Sequence, residues 1–163
     1  MRPYRIGFGE DIHRLVEGRK LILGTLEIPY EKGLLGHSDA DVVLHALADS
    51  ILSAIGESDI GAHFPDTDPS IEGIDSRKIV EFAKNKADLQ GYRIGNTSIS
   101  ILAERPKLRP YIQQMKENIA QLLEVGVDDV GIAAGTNEGL DAVGKREAIK
   151  VTAVTLLERK ETE

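Results

Sequence analysis

Segments with the two-residue period of a β-strand alternate along this chain with segments whose apolar residues recur at helical spacing. This order is typical of a sheet that packs against helices. We therefore predict an α/β (α+β) fold, with helices on one face of a mixed or largely antiparallel sheet. The strand-like runs lie at residues 4–8, 20–28 with a turn at Gly24, 94–103, 130–134 and 148–157.

The helical segments begin at recognisable signals. The first is predicted over residues 38–55, where Ser38 and Asp41 have the spacing of a capping box. Glycine follows it directly, as is common at the end of a helix. The other predicted helices are residues 76–91, capped by Ser76, and residues 110–125, which start with a proline.

The bulk composition fits one domain. The chain has 163 residues, of which 41% are hydrophobic, and no repeat or linker-like stretch interrupts it. We therefore expect a single domain over residues 1–163. Acidic residues number 27 against 20 scattered basic ones, so we expect no binding to nucleic acid and none to an anionic membrane.

The absence of cysteine limits the chemistry further. Disulfides and zinc fingers are excluded, and any metal must be held by nitrogen and oxygen ligands. The apolar stretch near the N-terminus is interrupted by glycine and acidic residues, and it is too short for a signal peptide or a membrane span. A cytoplasmic location is therefore expected.

Asp11, His13 and His45 are the candidate metal ligands. Asp11 and His13 lie two residues apart just beyond the first strand, so an extended backbone directs both side chains to one face. His45 lies on the first helix, one turn from Asp41 and from Asp49, which could orient its ring. One carboxylate and two imidazoles with an open fourth position suit catalytic zinc. Asp-x-His alone is a weak pattern, and an isolated histidine is more often structural.

A phosphate site is a second interpretation that the sequence allows. The segment Gly36-His37-Ser38-Asp39-Ala40-Asp41 opens the first predicted helix, so its amides and the helix dipole could receive phosphate oxygens. The side chains of His37 and Ser38 could donate hydrogen bonds there. The competing interpretation is that Ser38 only caps the helix and Asp39 is a favourable first-turn charge.

A long polar loop, residues 57–75, follows this helix, and loops of such length in a small domain are commonly functional. It contains Asp59-Ile60-Gly61, whose carboxylate could hold ribose hydroxyls where glycine lets a ligand approach. It also contains Phe64-Pro65-Asp66-Thr67-Asp68. Ordinary acidic turns would give the same composition.

The densest positive patch is Arg105-Pro106-Lys107-Leu108-Arg109-Pro110, at a strand-to-helix junction where a diphosphate could also meet helix amides. The patch suits one small ligand and not a polymer. After the next strand comes Gly135-Thr136-Asn137-Glu138-Gly139. The Thr136 hydroxyl suits a phosphate oxygen, and the Glu138 carboxylate suits a hard divalent cation. Ordinary solvated loop polarity is equally compatible with this loop.

Taken together, these motifs resemble the 2-C-methyl-D-erythritol 2,4-cyclodiphosphate synthase family over nearly the whole chain. The most specific part is His-Ser-Asp-x-Asp-x-x-x-His, residues 37–45, followed by Phe-Pro-Asp-Thr-Asp, residues 64–68. The resemblance implies a homotrimer with sheets around a central axis and active sites between subunits. It also implies a reaction of non-mevalonate isoprenoid synthesis, in which a cytidine-diphosphate-linked sugar phosphate is cyclised and CMP is released.

The resemblance also implies a role for each matched residue. Zinc would be bound by Asp11, His13 and His45, and magnesium or manganese on the diphosphate by Glu138. His37 and Thr136 would stabilise the transition state. Asp59 and Gly61 would contact ribose, and residues 103–109 of the adjacent subunit would hold cytosine and phosphates. The implied substrate contacts are Asp11, Ile12, His13, His37, Ser38, Asp59, Ile60, Gly61, Phe64, Pro65, Asp66, Thr67, Asp68, Ala103, Pro106, Lys107, Leu108, Arg109, Gly135, Thr136, Asn137, Glu138, Ala142 and Lys145.

The chain departs from the common family pattern at a few positions. Ala142 stands where phenylalanine is frequent and Lys145 where arginine is frequent, and Glu10 and Thr152 also differ. These positions concern the trimer axis and a loop near the substrate, and not the zinc ligands. A metal-dependent phosphohydrolase and a non-catalytic trimeric nucleotide-binding module are the alternative functions.

Overall fold

The first strand is much longer than the sequence predicts. In the computed structural model, which describes residues 1–161, β1 spans Tyr4–Glu17 and pairs antiparallel with the last strand. The prediction of a strand that ends at residue 8 was wrong, because sheet pairing continues through the glycines and acidic residues there. Asp11 and His13 therefore lie within the strand, and not beyond it.

The predicted second strand is a hairpin. Its two short arms are β2 (Leu21–Leu23) and β3 (Leu26–Ile28), which pair only with each other. Gly24 and Thr25 form the turn with φ values of 56° and 78°, so the predicted turn is confirmed. The next strand, β4 (Lys32–Leu34), was not predicted, and it pairs antiparallel with the end of β1.

The remaining strands complete a mixed sheet, as predicted. They are β5 (Tyr92–Leu102), β6 (Val130–Gly135) and β7 (Ala148–Arg159). The order across the sheet is β4-β1-β7-β5-β6. β5 and β6 run parallel, whereas the other neighbours run antiparallel.

The first helix, α1 (Val42–Ala54), begins later than predicted. Its N-cap is Asp41, whose side chain accepts a hydrogen bond from the Leu44 amide at 3.2 Å. The capping box of Ser38 with Asp41 was wrong, since Ala40 at φ 60° turns the chain between them. The end before glycine is confirmed.

The long polar loop is not wholly irregular. It contains the short helix α2 (Ile60–His63) and a 3-10 turn at Pro69–Ile71. The next helix, α3 (Ser76–Leu89), has Asp75 as its N-cap, because the Asp75 carboxylate accepts from the Arg77 amide. Ser76 is therefore the first helical residue and not the predicted cap.

The last part of the chain follows the predicted order. A 3-10 turn at Arg109–Tyr111 leads into α4 (Ile112–Leu123), which ends before the glycine at 126 as expected. A further short helix, α5 (Asp141–Gly144), lies before β7 and was not predicted. Among the described residues, no helix combines the length and apolarity that crossing a bilayer would require.

The helices cover one face of the sheet, as predicted. Alternate residues of the central strands, including Ile99, Ile101 and Val151, are buried against α1 and its neighbours. The opposite face of β1 leaves apolar side chains exposed. Their exposed fractions are 61% for Tyr4, 72% for Ile6, 55% for Phe8 and 51% for Ile12.

Candidate metal centre and substrate pocket

Close packing of β1 against α1 brings the predicted ligands together. Gly9 permits this approach, because a Cβ there would lie 2.1 Å from the Ala46 carbonyl oxygen. Asp11 and His13 follow on the same face of β1, and His45 faces them from α1. The sheet-to-helix contact therefore builds the site.

One donor atom from each of the three side chains lies within 4.8 Å of the other two. Asp11 Oδ2 is 2.8 Å from His13 Nε2 and 3.3 Å from His45 Nδ1, and the two imidazole nitrogens are 3.3 Å apart. Ligand atoms at about 2.0–2.1 Å from a tetrahedral zinc ion lie roughly 3.3 Å from one another. The spacing and the donor types therefore fit a divalent metal.

Hydrogen bonds on the far side of each ring fix its orientation. His13 Nδ1 donates to the Leu35 carbonyl oxygen at 2.7 Å, which leaves Nε2 facing the centre. His45 Nε2 lies 2.9 Å from the hydroxyl oxygens of Ser38 and of Ser76, which leaves Nδ1 facing the centre. Metal-bound histidines commonly have such outer partners.

The expectation that Asp41 and Asp49 orient His45 was wrong. Asp41 accepts from the amides of Gly24 and Thr25, so it joins the β2–β3 turn to α1. Asp49 accepts from the Ile60 amide at 2.8 Å and holds the start of α2. Helical spacing places these carboxylates near the ring, but backbone amides from other segments bind them.

The charges at the centre favour an ionised carboxylate. Burial alone would raise the pKa of Asp11, but the hydrogen bond with His13 and the nearby His45 imidazole lower that pKa well below the usual range. Burial opposes a charged His13, yet the hydrogen bond and charge of Asp11 raise the His13 pKa. The Asp11 carboxylate and the His13 ring therefore stabilise each other's charged forms.

Two neighbouring carboxyl groups behave in the opposite way. Complete burial raises the pKa of Asp41 to about 6, although backbone amides that bind it act to lower the value. Burial also raises the pKa of Asp49 to about 6, and the negative charges of Asp59 and Asp11 add to the shift. Asp41 and Asp49 therefore hold their protons more tightly than an exposed carboxyl group does.

The predicted phosphate site at the start of α1 is only partly available. The amide of Asp39 donates to the Ile74 carbonyl, that of Ala40 to Ser38 Oγ, and that of Asp41 to Asp39 Oδ1. These three amides are therefore engaged within the chain, whereas phosphate binding by the amides of residues 36–38 stays a prediction. Ser38 is buried at 7% exposure, and its hydroxyl contacts His45.

His37 lies in the turn before α1, between Gly36 and Ser38, and contacts the long loop. Its Nε2 donates to the Asp68 carbonyl at 2.9 Å, and its own carbonyl accepts from the Gly73 amide at 2.8 Å. Phe64 is anchored against Phe82 with ring centroids 5.0 Å apart. The exposed members of this loop that were predicted to bind substrate are Asp59, Gly61, Pro65, Asp66 and Thr67.

Asp59, Ile60 and Gly61 form the start of α2. Asp59 caps this helix by accepting from the Ala62 amide at 3.2 Å. With Phe8, Glu10 and Asp49 it lines a cavity of ≈ 340 Å³ beside the exposed face of β1. An exposed carboxylate in such a cavity can accept hydrogen bonds from a ligand's hydroxyl groups.

A larger cavity, of ≈ 790 Å³, opens where β5 ends next to β6. Its base is apolar, with Ile112, Ile132 and Ala134, whereas cationic side chains stand at its rim. Such a lining suits a flat base and phosphates. The predicted residues that line it are Ala103, Pro106, Lys107, Leu108, Arg109, Gly135 and Thr136.

Hydrogen bonds within the loop after β6, and one from Glu104, stabilise this loop. Asn137 Nδ2 donates to the Leu140 carbonyl and to Asp141 Oδ1, and the Gly139 amide donates to Glu104 Oε1. Glu138 is exposed at φ 54°, so its carboxylate is free to meet a cation. Ala142 and Lys145 follow in and after α5.

The centre and the larger cavity are separate within one chain. The sheet register runs from Asp11 to Val151, then Ile101 and then Ala134. Three spacings of about 4.8 Å between neighbouring strands place the ends of this row roughly 14 Å apart. Within one chain the metal centre and the larger cavity are therefore two separate regions.

Sequence reasoning missed the part played by three residues. Ser76 was predicted only as a helix cap and Asp39 only as a first-turn charge, yet both belong to the hydrogen bonds behind His45. Glu104, which braces the loop after β6, had no interpretation. Only the fold joins these residues to the sites, and we find no sequence signal for the connection.

Comparison with known proteins agrees with this geometry. The model of the YgbB family matches residues 4–158. The 2-C-methyl-D-erythritol 2,4-cyclodiphosphate synthase of Pelobacter propionicus is 57% identical over 94% of this chain and 97% of its own. The enzyme of that name from Geotalea uraniireducens is 56% identical over 96% of this chain and 99% of its own.

This chain belongs to the 2-C-methyl-D-erythritol 2,4-cyclodiphosphate synthase family. Solved structures of this family share the fold. A synthase in a CDP-bound form is 40% identical, with a TM-score of 0.88 over 94% of this chain and 100% of its own. A Plasmodium falciparum IspF in complex with CDP is 32% identical, with a TM-score of 0.86 over 99% of both chains. The family predicted from the motifs is thus confirmed.

Proposed function

We infer that this protein converts 4-diphosphocytidyl-2-C-methyl-D-erythritol 2-phosphate to 2-C-methyl-D-erythritol 2,4-cyclodiphosphate and CMP. The protein is thus a cyclising phosphorus–oxygen lyase of the non-mevalonate route to isoprenoid precursors. Relatives of that name at 52–57% identity cover nearly the full chain. The observation that carries the mechanism is the convergence of Asp11, His13 and His45 on one point.

The metal at this point is proposed to be zinc. Two imidazole nitrogens and one carboxylate oxygen are the donor set of many catalytic zinc sites, and their separations fit a tetrahedral ion with one open position. When bound there, zinc would neutralise phosphate charge and polarise a phosphoryl oxygen. The three side chains would hold that charge at a fixed point between β1 and α1.

Glu138 is proposed to hold a second divalent ion, magnesium or manganese, on the substrate diphosphate. Its carboxylate is exposed in the loop after β6, next to the cavity that contains Thr136. Hard divalent ions prefer carboxylate and phosphate oxygens, and magnesium usually keeps most of its ligands from water and substrate. A single carboxylate from the protein is therefore enough for this role.

The other residues are proposed to bind and orient the substrate. The cavity around residues 103–109 would take cytosine and the adjoining phosphates, and Asp59 with Gly61 would contact ribose. His37 and Thr136 would stabilise the pentavalent transition state by hydrogen bonds. Ser38 is buried with its hydroxyl beside His45, and its contact with the substrate stays a prediction.

Orientation is the main task that the reaction sets. The attacking group is a phosphate monoester with a second pKa near 6, so it is largely ionised at neutral pH and needs no strong base. The attack forms a bond from this oxygen to the β-phosphorus, and CMP leaves. Holding two anions in line supplies about 7–11 kcal/mol of the barrier reduction, and each fixed hydrogen-bond donor about 3–4 kcal/mol more.

We propose a homotrimer with the active site between subunits. One chain keeps the metal centre and the ≈ 790 Å³ cavity apart, with two strands between them. An exposed apolar row lies on the open face of β1 and consists of Tyr4, Ile6, Phe8 and Ile12. The sheets of neighbouring copies could pack on this row around a common axis. The cytoplasmic location expected from the sequence stays a prediction.

Product analysis tests the reaction. Zinc-loaded protein with magnesium is expected to form CMP and the cyclic diphosphate in equal amounts from the linked substrate. Inorganic phosphate or an open-chain diphosphate as the main product would indicate a phosphohydrolase instead. Tight CDP binding without turnover would indicate a nucleotide-binding module.

Complementation tests the shared site. His45→Ala removes a metal ligand, and a Lys107→Ala/Thr136→Ala double variant impairs the cavity, so each protein alone is expected to have little activity. Randomly mixed trimers of the two would contain intact sites at about a quarter of positions, and activity should return accordingly. No recovery after verified subunit exchange would contradict the intersubunit site.

A further inference from the structure

A line of hydrogen-bonded side chains lies behind His45, on the side away from the metal centre. Its Nε2 lies 2.9 Å from Ser76 Oγ, and Ser76 is fully buried at 0% exposure. The same hydroxyl is hydrogen-bonded to Asp39 Oδ1. Asp39, Ser76 and His45 thus form a continuous line that ends at the centre.

The chemistry of the groups gives this line a direction. A carboxylate accepts hydrogen bonds, so the Ser76 hydroxyl donates its proton to Asp39. The Ser76 oxygen then offers a lone pair to His45, whose Nε2 must carry the hydrogen. The remaining ring nitrogen, Nδ1, consequently presents its lone pair to Asp11 and His13.

Asp39 is itself held rigidly. Its Oδ2 accepts from the Ser76 amide at 3.0 Å, and its Oδ1 accepts from the Asp41 amide at 3.1 Å. Its own amide donates to the Ile74 carbonyl at 3.1 Å. The carboxylate is therefore fixed between the turn before α1 and the first turn of α3.

We propose that Asp39, acting through Ser76, is a positioning residue for the metal centre. The pair locks the ring and tautomer of His45 so that Nδ1 is ready to bind the ion, and the negative charge of Asp39 strengthens the imidazole as a ligand. Neither residue is one of the three donors that converge at the centre. This inference rests on the proposed zinc centre and adds to it the origin of its preorganisation.

Ser38 provides an internal control. Its hydroxyl lies at the same distance of 2.9 Å from the same nitrogen, and it is buried too, at 7% exposure. However, its oxygen accepts from the Ala40 amide at 3.0 Å, and that amide brings no negative charge to the ring. The carboxylate therefore acts through Ser76 and not through Ser38.

The test measures the zinc dissociation constant of the whole protein by competition with a chromophoric chelator. Ser76→Ala and Asp39→Asn are each expected to bind zinc roughly 10- to 100-fold more weakly than wild type. The double variant should bind zinc only slightly more weakly than the weaker-binding single variant, since both changes break the same line of hydrogen bonds. Ser38→Ala should stay within about 3-fold of wild type.

A structural control separates positioning from folding. Asp75→Ala removes the N-cap side chain of α3, which accepts from the Arg77 amide and makes no hydrogen bond to Asp39, Ser76 or His45. It should lower the melting temperature of the metal-free protein and leave zinc affinity unchanged. If Asp39→Asn does not fold, Ser76→Ala decides alone, because it removes a single oxygen atom.

Unchanged zinc affinity in Ser76→Ala would overturn the inference while the centre itself stands. Equal losses in Ser38→Ala and Ser76→Ala would overturn it as well, since no special role would remain for the carboxylate. His45→Ala is measured alongside. If that variant held zinc as tightly as wild type, the proposed centre would fall, and the inference with it.

Discussion

The metal centre and the cavity beside β6 differ in how much of their geometry one chain supplies. At the centre, each candidate ligand has a further hydrogen bond to its own chain: Asp11 to the Ile12 amide, His13 to Leu35 and His45 to two serines. At the cavity, Lys107, Arg109 and Thr136 are exposed. The metal-binding side chains are therefore already held in place, whereas the side chains at the cavity are exposed to solvent.

The difference has a physical reason. A metal ion requires its donor atoms at separations fixed to a few tenths of an ångström, and burial with outer hydrogen bonds achieves this before the ion arrives. A nucleotide is larger and can be enclosed by surfaces that meet only in an assembly. The following changes are designed to test this contrast, beginning with the largest expected effect.

His45→Ala should abolish zinc retention and catalysis. Loss of partners outside the ligand shell costs roughly 10- to 100-fold in metal affinity, so loss of a ligand should exceed about 100-fold. Metal content after dialysis and product formation measure the effect, with circular dichroism to verify the fold. His63→Ala, at a half-buried histidine beside Glu57, should retain the metal. Unchanged metal content in His45→Ala would remove this residue from the centre.

Gly9→Ala should damage the centre through the fold. The new Cβ would meet the Ala46 carbonyl at 2.1 Å, so α1 must move away from β1 at a cost of about 3 kcal/mol. The melting temperature should fall by roughly 6–12 °C, and zinc affinity should fall with it. Gly135→Ala, where nothing lies within 4 Å of the added Cβ, is the matched control at the cavity. Equal stability of the two variants would contradict the contrast in packing.

Lys107→Ala should weaken nucleotide binding and spare the metal. A hydrogen bond to a charged group contributes about 1.5–3 kcal/mol, so we expect CMP to bind roughly 10- to 150-fold more weakly. Zinc affinity should be unchanged because the cavity and the centre share no residue. Titration calorimetry with CMP provides the measurement, and Lys78→Ala on the exposed side of α3 is the control. A loss of zinc in Lys107→Ala would mean that the two regions are coupled.

Asp49→Asn should produce the smallest effect, a change in the pH dependence of stability. The folded-state pKa of about 6 lies above the value of about 3.9 in an unfolded chain. The folded state therefore binds more protons between these values, so this stabilisation is present below about pH 4 and is lost as pH rises through about 6. Asparagine can still accept from the Ile60 amide but cannot ionise.

Urea unfolding of the metal-free protein at about pH 4.5 and about pH 6.5 measures this effect. Wild type should lose more free energy of unfolding over that interval than Asp49→Asn does. Chelator must be present, because a bound cation would lower the pKa of nearby carboxyl groups. Parallel pH profiles for the two proteins would show that Asp49 titrates normally.

The sequence predicted the mixed sheet, the helices on one face and the three metal-centre residues. Periodicity was sufficient for β5 and α4, whose burial follows their own pattern. It failed for β1, where glycine and acidic residues read as a break. The glycines fit in the strand because α1 packs close to them. Asp11 fits there because its side chain faces the metal centre.

The sequence by itself determined which chemical groups are available: nitrogen and oxygen ligands, a small cationic patch and motifs that resemble one family. Only the tertiary structure decided that Asp39 and Ser76 lie behind His45, whereas Asp41 and Asp49 bind backbone amides elsewhere. Hydrogen-bond partners are chosen by which segments meet in space. Spacing along one helix cannot specify residues that arrive from another element.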